Sequence, residues 1–233
     1  GFFMKYRRPT GAVGMVGADG MYWRCELPPP LPGTSTSVGP LAATSGVAII
    51  AAIAIPNLLR SRMAANESAA IAACKTYCEA QDIYRRTDWN QDGVLEYASS
   101  ITGNHSLFET QAGKGDVQLV DQAFANAEVK GPNPTDCKAP KAGYCFKILK
   151  GQGPDAPGGR KSYLVAGAHG VERMTIGYAL VAYPFSYDAS GRNTFLINNT
   201  GTVYQADLGP ETHEMVRKMT EYNPARNQWT PAE

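Results

Sequence analysis

The amino-acid sequence predicts an α+β fold in which one long N-terminal α-helix packs on an antiparallel β-sheet, with an extended Pro/Gly-rich arm before the helix. Three observations support this prediction. Prolines and glycines are concentrated before residue 46, an Ala/Ile/Leu-rich helical pattern runs from Gly46 to Thr87, and short runs of aromatic and β-branched residues follow it. A helix followed by meandering strands is typical of the α+β class. We therefore divide the chain into residues 1–45, 46–87 and 88–233.

The first segment, residues 1–45, is expected to be an arm. Its proline cluster between residues 28 and 32 favours an extended polyproline conformation. The chain then carries no charged residue between Glu26 and Arg60. We expect the arm to be extended or disordered unless a neighbour covers it.

The second segment predicts one helix from Gly46 to Thr87, interrupted only by Pro56. Its front half is apolar nearly all round but too short to span a bilayer, which takes about 20 residues. Nothing in the preceding arm could wrap it, so we expect it to be buried by something outside its own domain. The back half is amphipathic and can pack on the domain that follows. The apolar residues that we expect in an assembly surface are Val47, Ile49, Ile50, Ile53, Ile55, Pro56, Leu58 and Leu59.

The third segment, residues 88–233, combines short helices with strands. Helical patterns lie around Glu96–Ile101 and Asp116–Glu128, and a short closing helix is expected behind Pro210. The Asn-Asn-Thr-Gly sequence at 198–201 predicts a tight turn and therefore an antiparallel hairpin. The predicted strands are Tyr144–Leu149, Ser162–Val165, Met174–Phe185, Thr194–Ile197 and Thr202–Gln205.

Oxygen-bearing residues at alternate positions follow the predicted helix. Residues 88–96 match the first nine positions of an EF-hand-type loop, with Gly93 at the sharp turn. The twelfth position holds Ser99 instead of a bidentate Glu, so calcium here would be structural and weakly bound or would need another ligand. The alternative is that Asp88 caps the helix end and that residues 92–93 form a turn. The candidate Ca²⁺ ligands are Asp88, Asn90, Asp92, Val94 and Glu96.

Five cysteines without zinc-ligand spacing are typical of an oxidised, exported protein. Cys74 and Cys78 share a helix face, and Cys137 and Cys145 lie in or just before the first predicted strand. We expect bridges between helix and sheet instead of a bond between the two helical cysteines, although four cysteines allow three pairings. A reduced, buried pair is the alternative. Cys25 would then be left for an intermolecular bond.

The sequence excludes several classes of function. The 22 basic and 21 acidic residues provide no excess positive charge to hold a nucleic acid. The three histidines have no serine elbow or metal-ligand partner near them in sequence. Since no nucleophile, base and orienting group can be named together, we expect no enzyme activity.

Two stretches resemble known bacterial proteins. Residues 47–70, VAIIAAIAIPNLLRSRMAANESAA, are similar to the later part of the N-terminal helix of type IV pilins and type II secretion pseudopilins. Residues 143–208 resemble an uncharacterised domain that occurs in pilin-like proteins. Pilins carry a Glu ahead of their apolar run, and the corresponding position here falls on Gly39 or Ala42.

The resemblance implies a pilin-like fold and a fimbrial subunit whose apolar helix is buried in the core of a helical filament. We therefore expect a structural subunit of an extracellular, pilus-like filament on a bacterial cell surface. Its partners would be further copies of itself, the pilus or type II secretion assembly machinery and, transiently, the inner membrane. The alternatives are a minor pseudopilin that primes secretion, and a calcium-dependent adhesion or carbohydrate-binding module anchored by the helix.

Overall fold

The chain forms two compact units, Gly1–Ala51 and Ala52–Glu233. The computed structural model describes the backbone of residues 13–17, 20–24, 41–89, 91–110, 117–167, 172–224 and 229–232, and the side chains of these ranges from residue 56 onward. In the first unit, β1 (Val13–Gly17) and β2 (Gly20–Arg24) pair as an antiparallel hairpin. The rest of the predicted arm up to residue 40 lies outside the described residues.

One long helix, α1, dominates the N-terminal half. It runs from Leu41 to Arg85, so it begins before the predicted Gly46 and ends before Thr87, and Pro56 lies inside it. From residue 70 onward one face of α1 is buried against the rest of the second unit, which confirms the amphipathic pattern of its back half. Among the residues that the structure describes, none of the helices combines the length and the apolar character that a membrane crossing requires.

The second unit contains a five-stranded antiparallel sheet with the strand order β11-β10-β9-β8-β3. The expected hairpin is present, with Tyr204 of β10 opposite Leu196 of β9. An α+β fold with a helix and an antiparallel sheet is therefore confirmed. The sheet strands are β3 (Tyr144–Leu149), β8 (Ala179–Pro184), β9 (Asn193–Asn198), β10 (Tyr204–Asp207) and β11 (Thr230–Pro231).

Two small hairpins and two short helices complete the second unit. The first hairpin pairs β4 with β5 in antiparallel orientation. A second hairpin joins β6 to β7. The expected closing helix is α3, which ends before Met219. The bounds are β4 (Gly151–Gln152), β5 (Lys161–Ser162), β6 (Leu164–Ala166), β7 (Glu172–Met174), α2 (Gln122–Asn126) and α3 (Thr212–Lys218).

Several predicted elements are wrong in type or length, and one of them is the strand predicted over Ser162–Val165, which divides at Tyr163 between β5 and β6. Residues 96–101 are not helical, since Tyr97 instead bridges Met174 of β7. In the part of 116–128 that is described, only Gln122–Asn126 is helical, because the Asp121 carboxylate caps the start and Ala127 ends it. The strand predicted over 174–185 is interrupted at Gly177, where an added Cβ would lie 2.9 Å from the Tyr163 ring. The chain can therefore pass this ring only without a side chain.

Tyrosines fill much of the core of the second unit. Tyr144, Tyr163 and Tyr183 are fully buried, and each hydroxyl donates a hydrogen bond. The acceptors are the Asn193 carbonyl at 2.9 Å, the Gln152 side-chain oxygen at 3.1 Å and the Pro134 carbonyl at 2.7 Å. A buried tyrosine is stable when its ring packs and its hydroxyl has a partner. Each of these rings is therefore held in the core by both packing and a directed hydrogen bond.

Candidate functional site

The front of α1 leaves large apolar side chains in solvent. Leu58 is 70% exposed and Leu59 is 51% exposed, and Pro56 before them is also exposed. The other candidate assembly residues, Val47 to Ile55, lie where only the backbone is described. Two adjacent exposed leucines on a helix form an apolar surface that is stabilised when a partner covers it.

A carboxylate anchors the helix just behind this exposed surface. Glu67 accepts hydrogen bonds from the backbone N–H groups of Arg192 at 2.8 Å and Asn193 at 3.1 Å, and from the Asn193 amide at 3.0 Å. Its neighbour Asn66 donates to the Ser190 carbonyl at 2.8 Å. These contacts join α1 to the loop before β9. Nothing in the sequence pattern distinguished Glu67 from other polar residues of the helix.

A second anchor lies on the buried face of α1. Gln81 is completely buried, and its amide oxygen accepts the Ala98 N–H at 2.9 Å while its nitrogen donates to the Ala98 carbonyl at 2.9 Å. The same nitrogen donates to the Tyr77 hydroxyl at 2.8 Å. The side chain thus pairs with Ala98 as a strand would. A signal was present in the sequence, because Gln81 shares the helix face of Tyr77 and Tyr84.

The carboxylates of the candidate calcium loop accept hydrogen bonds from the loop's own backbone N–H groups. The Asp88 carboxylate accepts the N–H groups of Asp92 at 3.2 Å and Gly93 at 2.8 Å, and Asp92 accepts the N–H of Val94 at 2.9 Å. Gly93 has the positive φ of 80° that a sharp turn requires. The turn expected as the alternative to calcium is therefore present. Asn90, another candidate side-chain ligand, lies outside the described residues.

An arginine lies against this loop. Arg173 Nη2 of β7 is 2.7 Å from Asp92 Oδ2, and the two side chains are 18% and 26% exposed. Burial raises the pKa of Glu96, and the nearby Arg173 charge opposes that rise. The Asp92 carboxylate therefore already faces the Arg173 cation. Calcium at Asp92 would have to displace this arginine or share the carboxylate with it. The described residues contain no cluster of three His, Cys, Asp or Glu side chains placed to hold a metal.

The cysteines pair differently from the expectation. A disulfide joins Cys137 to Cys145, with their Cα atoms 6.3 Å apart, whereas Cys74 and Cys78 are free thiols. The predicted bridges between helix and sheet are wrong because side chains alternate along β3. Phe146 packs through Phe124 toward α1, so its neighbour Cys145 points to the other face of the sheet. Cys25 lies outside the described residues.

Burial makes the two free thiols poor nucleophiles. The pKa of Cys74 is raised far above its ordinary value by complete burial, with a smaller contribution from Cys78. Burial also raises the pKa of Cys78 to about 11, although a hydrogen bond with Tyr178 opposes the rise. Since the thiolate is the reactive form, both cysteines act as core side chains at neutral pH.

Comparison with known proteins gives one family. Neither the curated proteins nor the solved structures include a match to this chain. The family model that does match covers residues 50–231, which include α1 from residue 50 onward and all the described elements of the second unit. The protein therefore belongs to the family described as Protein of unknown function (DUF2950).

Proposed function

We propose that this protein is a structural subunit of an extracellular, pilus-like helical filament and that it polymerises through its apolar N-terminal helix. The proposed partners are further copies of the chain, the pilus or type II secretion assembly machinery and, transiently, the inner membrane of a bacterial cell. The observation that carries the proposal is the exposure of Leu58 and Leu59 on a helix whose back half is fixed to the sheet.

The energetics favour burial of this surface by a neighbour. Covering a fully exposed leucine side chain contributes about 1.5–3 kcal/mol. A helix that presents several such residues to the next copy gains this energy at every contact, less the cost of ordering the subunits. If the contacting surfaces are different on the two copies, the assembly continues as an open helix. The uncharged sequence between Glu26 and Arg60 supports such an arrangement, because no buried charge would need a partner.

The test compares two equally exposed residues on the same helix. Leu59 is 51% exposed in the front half, and Ile83 is 50% exposed near the C-terminal end. In the full chain, Leu59→Asp should shorten or abolish filaments, because each contact would bury an unpaired charge. Ile83→Asp should leave polymerisation unchanged.

Sedimentation and negative-stain electron microscopy measure polymer mass and length, and far-UV circular dichroism shows that both variants are folded. Undiminished filaments from Leu59→Asp, or an equal loss from both variants, would refute the proposal. Electron microscopy of material sheared from cells separates a filament subunit from a minor pseudopilin, which would be absent from long fibres.

We infer a calcium-dependent binding module, anchored by the helix, as the second candidate. The observation that favours it is the turn at Gly93, which has the φ of 80° at the sixth position of the calcium-loop pattern. Trp89 reports on this loop, since its ring nitrogen donates to the Tyr84 carbonyl at 2.9 Å. A saturable change in tryptophan fluorescence on calcium titration, absent with magnesium, would support this function. A flat titration would exclude it.

A further inference from the structure

A cleft of about 450 Å³ lies beside the outer edge of β3, on the side away from β8. It is bordered by residues 128–130, by β3 and the residue after it, and by the chain just beyond α3. Ser99 and Ser100 also border it, and none of its residues is a candidate assembly residue or a candidate Ca²⁺ ligand. The cleft is therefore separate from both surfaces considered above.

The backbone of β3 has an open position in this cleft. The N–H of Phe146 donates to the Ala127 carbonyl at 2.9 Å, and its carbonyl accepts the Val129 N–H at 2.8 Å. These bonds point away from β8, and backbone groups in a strand repeat their direction every second residue. Ile148 therefore also presents its N–H and carbonyl to the outer edge. Among the described residues, no backbone segment beyond Val129 continues the pairing to Ile148.

The charge of the cleft is positive. Lys130, Lys147 and Lys150 line it, against one carboxylate, Glu128. That carboxylate is already used, since it accepts the N–H groups of Ile101 at 2.7 Å and Thr102 at 2.9 Å and also pairs with Lys130. It therefore adds little repulsion toward an anion in the cleft.

The lysines differ in their availability. The Lys147 ammonium donates to the carbonyls of Val216 at 2.9 Å and Met219 at 3.0 Å, which fixes its charge at the wall of the cleft. Lys150 is exposed; its backbone carbonyl accepts the Tyr163 N–H at 2.9 Å, but its side-chain ammonium makes no hydrogen bond or ion pair within the described part of the chain. It is the cation that a ligand can reach without breaking an existing contact.

The walls also carry apolar side chains, because Val129 and the half-buried Ile148 both line the cleft. We propose that this cleft binds an extended acidic peptide, which adds a short strand at the open edge of β3 by pairing with the backbone of Ile148 and places a carboxylate at Lys150. Main-chain pairing would supply affinity, while the lysines and the apolar wall would select alternating acidic and apolar side chains.

The test uses a fluorescein-labelled peptide, Asp-Val-Glu-Val-Asp, and measures its fluorescence anisotropy on titration with the full chain. Versions of the peptide carrying one N-methyl group at each amide in turn probe the main-chain pairing. We expect methylation to weaken binding at alternate positions only, because alternate N–H groups face the neighbouring strand. Equal binding of all the methylated peptides would overturn the proposal.

Two protein variants, each with a matched control, test the same contacts on the protein side. Ile148→Pro removes the outward N–H, and proline is tolerated where that group is not part of the ladder. It should abolish binding, whereas Ile148→Val should bind as the wild type does. Lys150→Glu should weaken binding about fivefold or more, and the matched exposed change Lys161→Glu in β5 should have no effect.

The variants remain informative if Ile148→Pro fails to fold, since Lys150→Glu and the methylated peptides do not depend on it. Competition with succinate and with inorganic phosphate identifies a site for small anions. If either displaces the peptide at concentrations near those of the free peptide, the strand-addition proposal is wrong. Wild-type affinity in Lys150→Glu would also refute it.

Discussion

Replacing Gln81 by Glu should create a protein that is more stable at pH 4 than at pH 7. The wild-type amide both accepts from and donates to Ala98, and it donates to the Tyr77 hydroxyl. An ionised Glu accepts the Ala98 N–H but cannot donate to the Ala98 carbonyl, and a protonated Glu can do both. Since the position is completely buried, the charged form is also poorly solvated.

The magnitude follows from the difference between the folded-state and unfolded-state pKa of the new carboxyl. Its unfolded pKa is about 4.3, and burial beside a carbonyl raises the folded pKa, so the proton is held more tightly in the folded protein. Stability is then present below pH 4.3 and is lost as the pH rises toward the folded pKa. If the folded carboxyl keeps its proton to about pH 7, its titration costs about 3–4 kcal/mol of stability at pH 7 and close to nothing at pH 4.

Urea unfolding of both proteins at pH 4 and pH 7 measures this difference. Gln122→Glu, on the exposed surface of α2, is the matched control and should change the free energy of unfolding by less than about 0.5 kcal/mol at either pH. A Gln81→Glu penalty that is the same at both pH values would show that the Ala98 contact does not control stability.

Three further changes test other contacts. Arg173→Gln removes the cation at Asp92, so calcium should bind the Asp88 loop more tightly than in the wild type; an unchanged calorimetric titration would contradict this competition. Because burial raises the pKa of Cys78 to about 11 from 9.0, the folded state holds the thiol proton more tightly, and the free energy of unfolding should fall between about pH 9 and 11. Cys78→Ala should reduce that fall by an amount visible in urea unfolding at pH 8 and 10.5, and identical slopes would disprove the assignment. Glu67→Gln retains an acceptor for the N–H groups of residues 192–193 but loses the negative charge, so it should cost about 1 kcal/mol of stability. A Tm that is unchanged within error would contradict this expectation.

The parts of the fold that could be predicted are those with a local pattern. β3, β9 and the back half of α1 carry aromatic, β-branched or amphipathic repeats that report burial directly. The break at Gly177 could not be predicted, because it depends on the ring of Tyr163, which is distant in sequence. The same limit applies to the bridge between Tyr97 and Met174, which replaces the helix expected there.

The candidate sites show the same distinction. The Asp88 turn follows from local sequence and is one of the two interpretations of residues 88–96 given above. Arg173 could not be assigned to it, because only the pairing of β6 with β7 and the bridge at Tyr97 bring that side chain to Asp92. The predicted disulfide pairing was wrong for a related reason. It required Cys145 to face α1, and the register of β3 directs this side chain to the opposite face of the sheet.

The two anchors of α1 bear on the proposed filament in a way that can be measured. Glu67 and Gln81 lie about 21 Å apart along the helix axis and contact different parts of the second unit, the loop before β9 and the segment at Ala98. Changes at sites this far apart, without shared partners, normally add within about 0.5 kcal/mol. If α1 and the sheet unfold as one body, the Glu67→Gln and Gln81→Glu costs should therefore add in the double variant.

Hydrogen exchange tests the alternative, in which the part of α1 around residue 67 detaches from the sheet first. The Glu67→Gln change should then lower the protection of the helix amides near residue 67 without affecting those near residue 81. In the proposed filament, α1 and the sheet should unfold as one body. A helix whose front end detached before the core unfolded could not hold neighbouring subunits together.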